Sequence, residues 1–410
     1  MRRLLQLLEP RRQQILLCAS SAGVVNHPRA SRGELSAEPL LDRVTSRNDE
    51  ASPRCVYLKK AEEHPEIIGN GALMRQNYIA QVDRSAKHSM PLPSHTSACK
   101  QCMRADDMQV IVRVVQWNIN NLCGADGHSP QDAEAFLKVL SECNADIVLL
   151  QEAPSGPAKF TWPPPFNTLF SMDAMRKLDS GLSRLGYTVQ LRTDIDFATL
   201  LCSRLELHEE TKPASFSLDA NLSLRHCPNL FYEDRVAMLA NFRLTRFSTT
   251  RDVPLLSVYA THFHHLNGTT GTAGIRESEA ESLLSHWWTN VPQTSVCGIL
   301  ATDFNQVREK DYTAREWSVI REGLAKPWVM QPENDGVADL LAHAGWKCAY
   351  DSPSAQRNFP GKGAPPLTHW TATTVDYPYV CYLSGHVEVQ GVYLVHSALS
   401  DHLPVVTDIA

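Results

Sequence analysis

From Val110 to the final residue the chain is a succession of short apolar runs, many of them rich in β-branched residues and separated by turn-forming stretches. "VIVRVVQW", "ADIVLLQE", "YTVQLR", "FATLLCS", "RVAMLANFRL", "PLLSVYATHF", "VCGILATDFN", "TTVDYPYV", "VEVQGVYLV" and "PVVTDI" all predict strands. Between them, "PQDAEAFLKVLSEC" and "IRESEAESLLSHWW" carry helical spacing. Short strands in this number, mixed with amphipathic helices, bury their apolar faces as sheets packed against each other with helices outside. The expected core domain spans residues 106–410.

The first 105 residues read differently. They are rich in Ser, Pro, Arg and His, show no sustained period beyond about residue 26, and predict a mostly irregular region. The opening "MRRLLQLLEPRRQQILLCASSAGVV" resembles a weak targeting segment, interrupted by Glu9, Pro10 and a second arginine pair. No apolar run approaches the roughly 20 residues that cross a bilayer, so no integral membrane association is expected. Eleven cysteines, an odd number without a repeating pattern, favour a reducing, intracellular compartment. Cys99 and Cys102 have half of a zinc spacing, but no second half completes it, and His88, His95 and Cys55 are the only partners in view. Of 39 basic residues 16 precede Val110, against 12 of 45 acidic ones; the remaining 23 and 33 leave residues 110–410 at −10. An acidic surface argues against tracking a long duplex, and leaves room for a small phosphorylated substrate, a nucleic-acid end, or a site neutralised by metal.

Almost every strand ends in a carboxylate, amide or imidazole. Asn118 follows "VVQW", Glu152 follows "VLLQ", His262 follows "VYAT", Asp303 and Asn305 follow "GILAT", and Asp376 lies in "TTVDYPYV". Six such residues with hardly a lysine predict one constellation presented by a rigid scaffold. In "DFN", extended backbone would put Asp303 and Asn305 on one face. In "SDHLPVV", Asp401 and His402 would diverge in a regular strand and converge only where the backbone still turns, with Pro404 suited to the start of the last strand. This inventory meets the needs of phosphoester hydrolysis: a cation for the phosphoryl charge, an acceptor to orient water, and hydrogen-bond donors. Glu152 is a suitable hard ligand for Mg²⁺.

The ordered series "WNIN", "LLQE", "ATHF", "LATDFN", "TVDY" and "SDHLPV" resembles the motifs of the endonuclease/exonuclease/phosphatase superfamily. The resemblance implies a DNase I-like α+β fold, a four-layer α/β/β/α sandwich of two mostly antiparallel sheets. It implies Glu152 as ligand of a catalytic Mg²⁺, replaceable by Mn²⁺, with Asn118 and Asp401 around it. Asp303 would orient or deprotonate water, Asn305 would hold the phosphate, and His402 would face it, oriented by Asp376. His262 would be the second histidine, and Arg235 a phosphate contact.

Some features depart from that pattern. Thr302 stands where a glycine is usual, and the acidic partner of His262 is open, with Asp194 and Asp196 as candidates. The insertion 306–324 is expected to form a helix over the site rim. "THFHH" places His262 and His264 on one face without the further ligands zinc requires. "LNGTTGTAGIRE" reads as a flexible strand-to-helix connector, with a phosphate cradle at a helix N-terminus as the alternative, and the sequons at Asn221 and Asn267 matter only in a secreted chain. The leading expectation is a phosphodiesterase or nuclease acting on nucleic acid or its ends. The alternatives are a phosphatase or phospholipase acting on inositol phosphates, nucleotides or lipid headgroups, and a non-catalytic binding protein on the same scaffold.

Overall fold

A computed structural model describes residues 71–86, 92–93, 112–126, 129–157, 171–193, 197–218, 235–244, 254–265, 274–314, 316–318, 336–359, 366–371, 373–384 and 387–410. The CxxC pair, Asp194, Asp196, both sequons, the targeting segment and most of the 266–277 connector lie outside these residues.

The described helices are α1 (Gly71–Ala86), α2 (Ala133–Cys143), α3 (Met172–Arg184), α4 (Ile275–Asn290), α5 (Gly336–His343) and the single turn α6 (Pro353–Gln356). The strands are β1 (Val112–Asn118), β2 (Ile147–Pro154), β3 (Thr188–Arg192), β4 (Phe197–Ser203), β5 (Ala214–Ser217), β6 (Val236–Arg243), β7 (Leu255–Ala260), β8 (Ser295–Asp303), β9 (Trp346–Cys348), β10 (Asp376–Tyr382), β11 (Val389–Leu394) and β12 (Val405–Ile409). They form two six-stranded sheets, ordered β11-β12-β1-β2-β4-β3 and β5-β6-β7-β8-β10-β9. Among the described strands only β1–β2 and β7–β8 pair in parallel. The architecture is the expected α+β sandwich.

Side-chain parity sorts the layers. Val112 and Val114 of β1, with Ile147 and Leu149 of β2, join Val258, Ile299 and Ala301 in the core between the sheets. Val115, Trp117, Val148 and Leu150 face the other way, against Phe136, Leu137 and Leu140 of α2 and Leu178 and Leu182 of α3. Because β1 is covered on both faces, it reads as a continuous β-branched run rather than an alternation. Asp132 caps α2 by accepting from the Glu134 N–H, and Asn144 closes the helix in the left-handed conformation. The last strand is bound to the first by a buried bidentate pair: Arg113 donates to both oxygens of Asp408, each at 2.7 Å.

Helix α1 was not among the expected elements. Tyr78 and Val82, one helical turn apart, are buried with Ala125, Trp370 and Leu403. Ile79 packs beside them, and the apolar residues of this helix do not line up at a sustained helical period, so its docking face is not detected by periodicity. The described part of the 306–324 insertion holds a short 3₁₀ turn, Glu309–Asp311, and then helical residues at 314 and 316–318; the buried Arg308 anchors the turn, donating to Asp311 and Asp351 and lying over the Tyr377 ring. No described helix is long and apolar enough to cross a membrane.

Gly298 of β8 lets α4 approach the strand that carries Asp303, since a Cβ there would lie 2.1 Å from Cη2 of the buried Trp287. Gly298→Ala is therefore expected to destabilise the fold by about 1–3 kcal/mol through overpacking. Denaturant titration of both proteins checks this, and equal midpoints would contradict it.

Candidate active site

Parallel pairing brings the C-terminal ends of β1 and β2 level, with Asn118 opposite Gln151. In the facing sheet, Asp303 at the end of β8 is directly opposite Asp376 at the start of β10. All four positions lie at one edge of the sandwich, where Asn118 crosses between the sheets. Its Nδ2 donates to Glu152 Oε1 and to Asp303 Oδ2, both at 3.1 Å.

The backbone leaves regular geometry at the positions that carry these groups. Asn120, Asn121 and Leu122 have φ of 43°, 51° and 61°, in a turn begun by Asn118 Oδ1 accepting the Asn120 N–H. Glu152 has φ 50°, in a break of the β2–β4 register between Leu150 and Ala153, and its side chain is 25% exposed between buried neighbours. Asn305 has φ 48°. That corrects the expectation that extended backbone aligns Asp303 with Asn305. The strand stops at Asp303, whose Oδ1 accepts the Asn305 N–H at 2.8 Å, and the left-handed turn brings the two together. Left-handed backbone at residues other than glycine costs on the order of 1–3 kcal/mol and collects at functional sites.

His402 Nδ1 lies 2.9 Å from Asp376 Oδ2, and its Nε2 lies 3.6 Å from Asp303 Oδ2. Gln116, two residues before Asn118 on the same face of β1, donates to the other oxygen of Asp376 at 2.6 Å. Burial alone would lower the proton affinity of His402, but Asp376 and then Asp303 push its pKa up to about 10. Burial works against the Asp303 charge, yet His402 and His262 hold its carboxyl well below the usual carboxylate range. The proton shared in the His402–Asp376 pair is therefore assigned to the imidazole. Asp401 and His402 do diverge: Asp401 Oδ2 meets Arg75 of α1 at 3.3 Å.

His262 Nε2 is 3.3 Å from Asp303 Oδ2, 2.9 Å from Asn305 Nδ2 and 3.8 Å from Glu152 Oε1. Its Nδ1 faces Arg235 at 3.3 Å. A guanidinium only donates, so Nδ1 accepts from Arg235, while Nε2 faces both the Asp303 carboxylate and the Asn305 amide nitrogen. Among the described residues the partner of Nδ1 is a cation; the candidate acids Asp194 and Asp196 lie outside them. Arg235 is 6% exposed. Asn305 Nδ2 also donates to the Phe263 carbonyl at 2.9 Å, and Arg276 donates to the Asn305 carbonyl. Thr302, in place of glycine, turns its hydroxyl to the Thr261 carbonyl. His264 joins no set of three metal-ligating groups among the described residues.

The donor set suits a hard divalent cation. Glu152 offers a carboxylate open to solvent, fixed by the Asn118 amide. Asp303, Asp376 and His402 also present ligand atoms within 4.8 Å of one another, but these already face each other as donors and acceptors, which fits a proton-holding set better than a metal cage. Gln116 was legible as a parity partner of Asn118. Arg75 carried no sequence signal.

No family model matches the chain, and no curated protein matches it. Several solved structures are similar to it, each over 73% of its length. An endonuclease/exonuclease/phosphatase from Beutenbergia cavernae is 18% identical, with 71% of that chain covered and a TM-score of 0.45. The human Nocturnin catalytic domain with bound sulfate is 20% identical, with 93% covered and a TM-score of 0.45. A humanized D. rerio TDP2 is 13% identical, with 98% covered and a TM-score of 0.43. The likeness is one of fold.

With a folded pKa of about 10 against an unfolded value of about 6.5, His402 contributes stability that is complete below the unfolded value and lost as pH rises through the folded one. Denaturation in chelator between pH 6 and 10.5 should show stability falling across that window, with a flatter profile in Asp376→Asn. Parallel profiles for the two proteins would contradict the pairing.

Proposed function

We propose that the chain is a divalent-metal-dependent phosphoester hydrolase acting by water attack on phosphorus, with phosphodiesters of nucleic acid or its ends as the leading substrates. The observation that carries this reading is the place of Asp303: one buried carboxylate within 3.1–3.6 Å of Asn118, His262 and His402, with Glu152 beyond Asn118. A carboxylate, two imidazoles and an amide at that spacing suit a reacting phosphate and its water.

Glu152 would hold Mg²⁺ or Mn²⁺, with Asn118 keeping its carboxylate in place. When bound, the cation supplies neutralisation of charge on the phosphoryl oxygens. Asp303, held as an anion of low proton affinity, is suited to orient the water as an acceptor rather than to act as a strong base. His402, kept protonated by Asp376, would donate Nε2–H to a phosphoryl oxygen as charge develops. Asn305 and His262 would position the phosphate from the other side. Arg235, buried with its Nε lacking a hydrogen-bond partner among the described residues, adds a positive charge behind them.

The charge of −10 over residues 110–410 favours a second reading, a phosphatase or phospholipase acting on compact substrates such as inositol phosphates, nucleotides or lipid headgroups. The full chain with Mg²⁺ or Mn²⁺, tested on plasmid DNA, RNA, abasic DNA, 5′-tyrosyl DNA, inositol phosphates and sphingomyelin, separates the readings. Binding without turnover across that panel would return the chain to a non-catalytic role.

Glu152→Gln is expected to abolish or strongly weaken metal-dependent turnover, because it keeps the shape and removes the charge. Equal activity across a Mg²⁺ titration would remove Glu152 from the cation site. His402→Ala should cost on the order of 3 kcal/mol of transition-state stabilisation, and Asp376→Asn less, about 10–100-fold. The double variant should lose far less than the product, since groups acting as a unit are not additive. Strictly multiplicative losses in kcat/KM would mean that the two side chains act independently.

A further inference from the structure

We propose that His369 is a positioning residue for His402, setting the plane of that ring from a short buried hairpin that also holds Asp376. The proposal rests on the hydrolase reading above, in which His402 donates to a phosphoryl oxygen.

The hairpin runs from Thr368 to Thr373 and is closed by the N–H groups of Thr368 and His369, which both donate to the Thr373 carbonyl, at 2.9 and 3.1 Å. It grips the turn of His402 through the main chain. The Leu403 N–H donates to the Thr368 carbonyl at 2.8 Å and the Trp370 N–H to the Asp401 carbonyl at 3.0 Å, with His369 and His402 as antiparallel bridge partners between these two bonds. That makes them a non-hydrogen-bonded pair, the arrangement that brings opposite side chains closest. The same hairpin reaches Asp376, since Thr368 Oγ1 accepts the N–H groups of Val375 and Asp376 at 3.2 and 3.3 Å. Both members of the His402–Asp376 pair are thus fixed to one short segment.

The two rings use that closeness: their centroids lie 4.4 Å apart, with the planes at 46°. The hydrogen bond of His402 does not by itself fix the ring. Nδ1 is anchored on Asp376 at 2.9 Å, but a ring held at one nitrogen can tilt about that bond and carry Nε2 away from its 3.6 Å approach to Asp303. A second ring against its face limits the tilt. His369 can act as that stop because its own ring is held: Nδ1 lies 2.6 Å from Thr371 Oγ1, which lies 2.8 Å from Thr373 Oγ1, and all three residues are buried. A side chain whose rotamer is locked by packing and hydrogen bonds can hold a reacting neighbour to a fixed geometry.

Hydrolysis of bis(4-nitrophenyl) phosphate by the full chain with Mn²⁺, with a thermal melt of each variant, tests this. His369→Ala should lower kcat about 10–100-fold and leave KM within about twofold. His369→Phe, which keeps a ring against His402, should recover most of that loss. In a His402→Ala background, His369→Ala should cost less than about threefold, because a residue that acts through another loses its effect with it. An unchanged kcat in His369→Ala overturns the proposal, and so does a His369→Phe as impaired as His369→Ala. A full loss repeated in the His402→Ala background overturns it too, because His369 would then act on substrate directly. Should His369→Ala not fold, a folded His369→Phe decides: activity kept supports the proposal, and a loss of about tenfold or more overturns it. A wild type that leaves the diester intact removes the phosphodiesterase reading along with this one. His402→Ala impaired beside an unimpaired His369→Ala removes this one alone.

Discussion

Asp303 and Asp376 occupy opposite positions on one rung of the β8–β10 ladder, both buried, and the imidazole of His402 lies against both. Two carboxylates directly opposite each other in a sheet repel, and in a low-dielectric setting neither can be ionised cheaply without a counter-charge. The counter-charge comes from the turn that leads into the other sheet, three residues before Val405, where β12 begins its antiparallel pairing with β1. Sandwich assembly and site assembly are thus the same event. If β12 did not pair with β1, His402 would not reach the two acids, and the edge of the second sheet would hold an uncompensated charge.

The remaining compensation comes from neutral amides rather than lysines. Gln116 and Asn118 project from one face of β1 and donate to Asp376, Glu152 and Asp303. Amide donors fix carboxylate orientation without cancelling charge, which leaves the acids available to a cation or a water. The left-handed backbone at Glu152 and Asn305 aims side chains that a regular strand would have turned elsewhere. The buried Arg113–Asp408 pair locks β12 to β1, so the turn carrying Asp401 and His402 is held at its base.

Much of this was legible in the residues. Short apolar runs marked the strands, and polar strand ends marked Asn118, Glu152, His262, Asp303 and Asp376, which the fold gathers at one edge. Asn305 was found through the wrong geometry, because a left-handed turn produces the convergence that alternation had been expected to produce. The arginine behind His262 was not legible as its partner, since the contact joins β6 to the end of β7 and leaves no trace in local spacing. Helix α1 escaped for a different reason: two buried side chains carry its docking, and its contact with Asp401 spans 326 residues of sequence.

The central claim is that His402 is an imidazolium held by Asp376 and Asp303. The ¹⁵N chemical shifts of its ring nitrogens, in the selectively labelled full chain at neutral pH with metal chelated, report that state directly. The account predicts two protonated nitrogens, with Nδ1–H in a strong hydrogen bond that is lost in Asp376→Asn. A neutral ring with one unprotonated nitrogen at pH 7 would contradict it.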